Sequence, residues 1–150
     1  CYGILDFFDT GLAAYLTRWL NADALEAGAA SSEFFETWVV TEIYKSYANK
    51  GIVPPLYYLR NFNGKEIEFI IWQNGTAYPI AVKKSAYPSK AIKTFAILEP
   101  VSADAKIQIG AGGIVCLIDD LLPASDSLYY IPRGCYDFIL KISIAVPKNL

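Results

Sequence analysis

The 150-residue chain contains no histidine and no methionine. Without an imidazole, Ser-His-Asp and Cys-His catalysis, histidine metal ligation and histidine acid–base chemistry are excluded, so any active site must use carboxylates, lysine, tyrosine or cysteine. Methionine is missing even at position 1, which reads as a segment excised from something longer. Cysteine is scarce and odd in number. Cys1, Cys116 and Cys135 are irregularly spaced, and no signal peptide precedes them. Neither a disulfide framework nor a zinc knuckle is implied, and a reducing cytoplasm is the expected compartment. No uninterrupted apolar run approaches the ~18 residues a membrane span needs, so no membrane partner is expected. There is no internal repeat, no low-complexity segment and no G-x-x-x-x-G-K-[ST] phosphate loop, so nothing in the chain cradles nucleotide phosphates.

What is present is core-forming. A hydrophobic fraction of 54% with 11 Tyr and 8 Phe predicts one buried globular core in a chain of this length. A net charge of −2 gives no global attraction to a polyanion, so any nucleic-acid contact must come from a local patch.

Ile4–Phe8 reads as a short strand, followed by a helix carrying Leu12, Ala13, Leu16, Trp19 and Leu20, with Asp9 or Thr10 as its cap. Residues 21–32 are small and polar and read as a loop or frayed turn, with Ser31-Ser32 as a start signal. Glu33 to about Ala48 is the clearest helix. Its stripe is Phe35, Val39, Val40, Ile43 and Tyr47, with Thr37, Thr41 and Lys45 on the other side and Glu36 turned partly inward in the first turn.

Gly51 and Pro54-Pro55 end that helix. Three strands then follow, Leu56–Phe62, Glu66–Gln73 and Ala77–Lys84, joined at Asn63-Gly64 and Asn74-Gly75 into an antiparallel meander. Ser89–Val101 reads as a serine-capped helix, Gly112–Ile118 as a strand buried on both faces of a parallel pair, and Ser127–Pro132 as one more strand. The order is α-β-β-β-α-β. The tail 133–150 is apolar enough to add an edge strand.

Strict alternation puts Ile67, Phe69 and Ile71 on one face of the second strand and Glu66, Glu68 and Ile70 on the other. In the third strand Ala81 and Lys83 share a face, so Glu68 and Lys83 can meet, with Glu36 approaching from the helix. A helix carboxylate, a strand carboxylate and an acid-x-lysine pair form the arrangement of PD-(D/E)XK nucleases. In those enzymes the acids hold Mg²⁺ or Mn²⁺ and the lysine acts at the phosphate. Here Ala81 occupies the place of the acid before x-Lys.

The runs "DTGLAAYL" (9–16), "FFETWVVTEIYKSY" (34–47), "PPLYYLRNFNGKEIEFII" (54–71) and "YPIAVKKSAYPSK" (78–90) resemble the uncharacterised C-terminal domain of a large family of bacterial and archaeal AAA-type ATPases. That domain is similar in fold to the PD-(D/E)XK nucleases, and the resemblance covers roughly Ile4 to Pro132. It implies an α/β, restriction-endonuclease-like fold with a mixed central sheet flanked by helices over 1–132, followed by an extension of unclear role at 133–150. Family sequences read like "FFE", "GKEIDxxI" and "PIEVKxS", which carries the site onto Glu36, Glu68 and Lys83. Glu68 stands where aspartate is frequent, and Ala81 where the family has glutamate. ATP then belongs to an N-terminal ATPase domain outside this chain, which is the expected partner.

Each site has a plainer reading. Glu36 either serves as a metal ligand or interacts with the positive end of its helix. Glu66 and Glu68 suit the solvated face of a hairpin. Lys83, Lys84, Lys90 and Lys93, with Tyr87 among them, form either a phosphate-contacting patch for DNA or a solubility feature. Asp119-Asp120 mark a crevice or a turn, and Cys116 is an inert core residue. The resulting expectation is a degenerate nuclease fold with an interaction or regulatory role. The alternatives are a working Mg²⁺- or Mn²⁺-dependent nuclease in which Glu66 or another acid supplies the missing ligand, and a phosphate-contacting module. A homo-oligomer is compatible with any of the three.

Overall fold

The computed structural model describes residues 9–60, 64, 66–134 and 139. The expected first strand (Ile4–Phe8), Cys1, Cys135 and the tail beyond Ile139 lie outside the described residues.

Three helices come first. Helix α1 (Thr10–Leu16) is capped by Asp9, whose carboxylate accepts from the Leu12 N–H at 2.9 Å. The segment read as a loop holds a short helix, α2 (Ala22–Ala27), because Asn21 caps it through the Ala24 N–H at 2.7 Å. Helix α3 (Ser31–Ala48) starts two residues earlier than expected. Glu33 is therefore the acid of its first turn, and Glu36, as the sixth residue, lies beyond the turn where the helix dipole acts strongly. Thr41, expected on the outer side, is buried with Val39, Ile43 and Tyr47.

The meander follows as β1 (Leu56–Arg60), β2 (Glu66–Gln73) and β3 (Thr76–Val82). The β2–β3 turn uses Asn74 and Gly75 at φ 51° and 77°, the left-handed pair such hairpins require. The single helix expected over Ser89–Val101 is instead α4 (Ser89–Ile92), a 3₁₀ turn (Lys93–Ile97) and α5 (Leu98–Ala105). Pro100 explains the break. It has no N–H and would clash with the carbonyl four residues back in a continuous helix, but it is tolerated in the first turn of a new one. Ser89 is itself helical, and the α4 cap position, Pro88, makes no side-chain bond. Strands β4 (Gln108–Ile109), β5 (Gly112–Cys116), β6 (Leu122–Pro123) and β7 (Leu128–Pro132) complete a seven-stranded sheet.

The sheet order is β1-β2-β3-β5-β7-β6, with β4 beside β3. Pairs β1–β2, β2–β3 and β6–β7 are antiparallel, whereas β3–β5 and β5–β7 are parallel, so the architecture is mixed α/β with helices on the sheet's faces. As predicted from its unbroken apolar run, β5 is buried throughout between its two parallel neighbours. One face packs Val39, Ile43 and Tyr47 of α3 against Phe69, Ile71, Ile80, Val82, Val115 and Ile131. The other packs Phe95 and Leu98 against Ile67, Ile70, Ala81, Ile114 and Tyr130.

Strict alternation fails in β2. Tyr57 pairs with Ile70 but Leu59 pairs with Ile67, so Tyr58 alone stands opposite both Glu68 and Phe69. This β-bulge sends Ile67 to the α5 face while Phe69 and Ile71 pack on the α3 face, which corrects the expectation that the three share one face. Glu68 and Phe69 both fall on the α3 side as a result. The bulge aims the Glu68 carboxylate at α3.

Candidate functional site

The bulge, the end of β3 and α3 bring three of the expected residues together. Lys83 directly follows the last β3 residue, and its N–H still bonds the Val115 carbonyl at 2.9 Å, which fixes the base of the side chain. Its amine donates to Glu68 Oε1 and lies 3.6 Å from Glu36 Oε1. The carboxylates are unequally covered: the Glu68 side chain is 8% exposed and that of Glu36 31%. Glu68 Oε2 is buried and has no hydrogen-bond partner among the described residues. A buried carboxylate oxygen in that state is costly, and such an atom is a natural seat for a proton, a water or a cation.

The charges perturb one another in the directions this geometry requires. Burial raises the pKa of Glu36, the nearby Glu68 charge raises it further, and Lys83 opposes both without cancelling them. For Lys83, burial favours the neutral amine, but the hydrogen bond and charge of Glu68, joined by Glu36, outweigh it and leave the pKa raised. The amine is therefore held protonated as a counter-ion. It is not available as a base.

Ala81 is not at the open site. It is 1% exposed and packed with Ile67, Ala91, Ile114 and Cys116 on the α5 face, whereas the Lys83 amine reaches Glu36 on the α3 side. The other acids stand apart. Glu66 accepts from the Tyr58 hydroxyl at 2.5 Å and lies 3.9 Å from Arg60 Nε, and Asp119 and Asp120 are exposed in bends after β5. Among the described residues, no group of three or more Asp, Glu, Cys or His converges as a metal cluster. Among the described residues, Glu36 and Glu68 are the two carboxylates that meet at Lys83, and Glu68 Oε2 is the buried oxygen left without a hydrogen bond.

The four lysines differ in their surroundings. Lys83 is committed to the carboxylates, and the Lys84 amine donates to the Glu26 carbonyl at 3.0 Å and to the Ser31 hydroxyl, tying α2 and the start of α3 to the end of β3. Lys90 and Lys93 remain exposed on α4 and the turn after it. A cavity of about 440 Å³ is lined by Lys83, Ser85, Tyr87, Ser89, Lys90 and Thr94, and Lys83 is the residue it shares with the carboxylate site. Cys116 is buried in the sheet, and burial raises its thiol pKa, as an inert core cysteine requires. The bulge that aims Glu68 and the Lys84–Ser31 tie were not readable from the sequence, because both depend on pairing register between distant segments.

The chain is thus a mixed α/β domain in which Lys83, just after β3, bridges Glu68 of the sheet and Glu36 of α3. Residues 31–136, more than half the chain, match the family described as a domain of unknown function (DUF4143), and the chain belongs to that family. The match runs from the first residue of α3 to just past β7, so it contains Glu36, Glu68 and Lys83. No significant match was found among curated proteins or among solved structures. No helix among the described residues is long and apolar enough to cross a membrane.

Proposed function

We propose that this chain is a degenerate, restriction-endonuclease-like (PD-(D/E)XK) domain with a non-catalytic interaction or regulatory role, the C-terminal module of a prokaryotic AAA-type ATPase. The observation that carries the reading is the engagement of Lys83. Its ammonium is spent on neutralising Glu68 and Glu36, and the position that should supply the third acid, Ala81, is enclosed by apolar side chains. Hard divalent ions need oxygen ligands, and an ammonium already seated between two carboxylates competes with the ion for them. The site reads as an internal ion pair that holds α3 to the sheet.

The second reading, a Mg²⁺- or Mn²⁺-dependent nuclease, is favoured by one observation: the buried, unpartnered Glu68 Oε2 beside Glu36. Mg²⁺ commonly uses only one or two protein carboxylates, with water and substrate phosphate completing its shell, so the donor set is sparse without being excluded. Cleavage of single- and double-stranded DNA in Mn²⁺ separates the two. The non-catalytic reading expects intact substrate with the native chain and no saturable Mn²⁺ binding by electron paramagnetic resonance. Cleavage by the native chain that disappears in Lys83→Ala would establish the nuclease instead.

A further inference from the structure

We propose that the cleft between the β1 edge of the sheet and α5 is a binding site for a small, uncharged aromatic molecule. The cleft has a volume of about 380 Å³, within the range of small-ligand sites. It lies on the α5 face, where its floor residues Ile70, Ala77 and Leu98 belong to the cluster that also holds Ala81, so it is independent of the carboxylate pair on the α3 side.

The hollow has a local origin. Trp72 of β2 stands directly opposite Ala77 of β3, and alanine leaves the space beside the indole unfilled. On the open side β1 is the last strand of the sheet among the described residues, and Tyr57 forms that wall while remaining 59% exposed. Val101 and Ile109 at the mouth are each 40% exposed. Large apolar side chains left in water around a concavity mark a binding surface more specifically than scattered ones do.

The chemistry of the lining selects the occupant. Among the described residues no Asp, Glu, Lys or Arg lines the cleft, so a charged ligand would lose its hydration without gaining a partner there. The Ser102 hydroxyl already donates to the Ile107 carbonyl at 2.9 Å, so this polar group of the lining is engaged inside the protein. Two aromatic rings, from Tyr57 and Trp72, offer edges and faces to a flat ring of matching neutrality.

The test is a fluorescence titration of the chain with N-phenyl-1-naphthylamine, an uncharged two-ring dye that brightens in apolar surroundings. The expected result is saturable one-to-one binding that weakens at least tenfold in Val101→Arg, which places a charge at the mouth from an exposed helix position, and in Ala77→Phe, which fills the hollow. Circular dichroism melts establish that each variant is folded, and if Ala77→Phe is not, Val101→Arg decides alone. Absence of saturation, equal affinity in folded Val101→Arg, or one dye per two chains with dimerisation in the ultracentrifuge would each overturn the proposal, the last by assigning the cleft to contact between copies.

Discussion

Replacing Lys83 with alanine removes the cation seated at the Glu36–Glu68 pair and leaves a carboxylate that is 8% exposed without that partner. Breaking a fully buried ion pair by deleting one member costs about 3–5 kcal/mol. This pair is not fully enclosed, because the side chains of Lys83 and Glu36 are 37% and 31% exposed and water screens part of the loss. About 2 kcal/mol at neutral pH is therefore expected, a drop of about 1 M in the urea midpoint for a chain of this size.

The pH dependence has a definite sign. The folded pKa of Lys83 is raised, so its stabilisation is fully present below the unfolded lysine value and is lost only as pH climbs through the higher folded one. The folded pKa of Glu36 is also raised, so the native state holds that proton longer than the unfolded chain does, and this contribution fades as pH rises from the ordinary glutamate range through the raised value. Without Lys83 the opposition to the raised pKa of Glu36 is gone, and its carboxyl favours protonation more strongly. The deficit of the variant should be largest near pH 7 and shrink below about pH 4, where glutamates are protonated in the unfolded chain as well. Urea melts of the native chain, Lys83→Ala, Glu68→Gln and the double variant across this range are the assay, with a coupling of about 1 kcal/mol expected between the two sites. A midpoint shift under about 0.3 M at pH 7, or strict additivity, would refute the ion pair as a structural tie.

Two further substitutions probe the sheet. Ala81→Glu places a carboxylate among Ile67, Ala91 and Ile114 and should cost more than about 2 kcal/mol, read as a lower urea midpoint; a stable variant that gains Mn²⁺-dependent DNA cleavage would instead show that the new acid reaches Glu36 and Glu68. Gly112→Ala should destabilise by about 1–3 kcal/mol in thermal melts, because its Cβ would lie 2.9 Å from the Pro79 carbonyl oxygen and 2.6 Å from Leu128 Cδ2. Native-like stability there would mean that β3 and β5 separate more easily than their packing implies.

The local code was legible wherever it acted over a few residues. Asn74-Gly75 specified a tight hairpin, Asp9 specified a cap, and the unbroken run Gly112–Cys116 specified a strand buried between parallel neighbours. The absence of histidine restricted the chemistry to carboxylates, lysine, tyrosine or cysteine before any geometry was known. Glu36, Glu68 and Lys83 were found as candidates, and the fold does bring them together.

What only tertiary structure decided was how they meet. Alternation placed Ile67, Phe69 and Ile71 together, and one extra residue in β2 opposite Tyr58 separated them and turned Glu68 toward α3. No sequence period announces a bulge, because it arises from the register between two strands, each of which reads as regular by itself. The lysines show the same division: four amines close in sequence formed a plausible patch, yet Lys83 and Lys84 are taken up by partners 15 to 58 residues away. Side-chain type and local spacing fix which groups are available to a site. Which of them remain open, and which are consumed in holding the site together, depends on contacts that form only once the chain has folded.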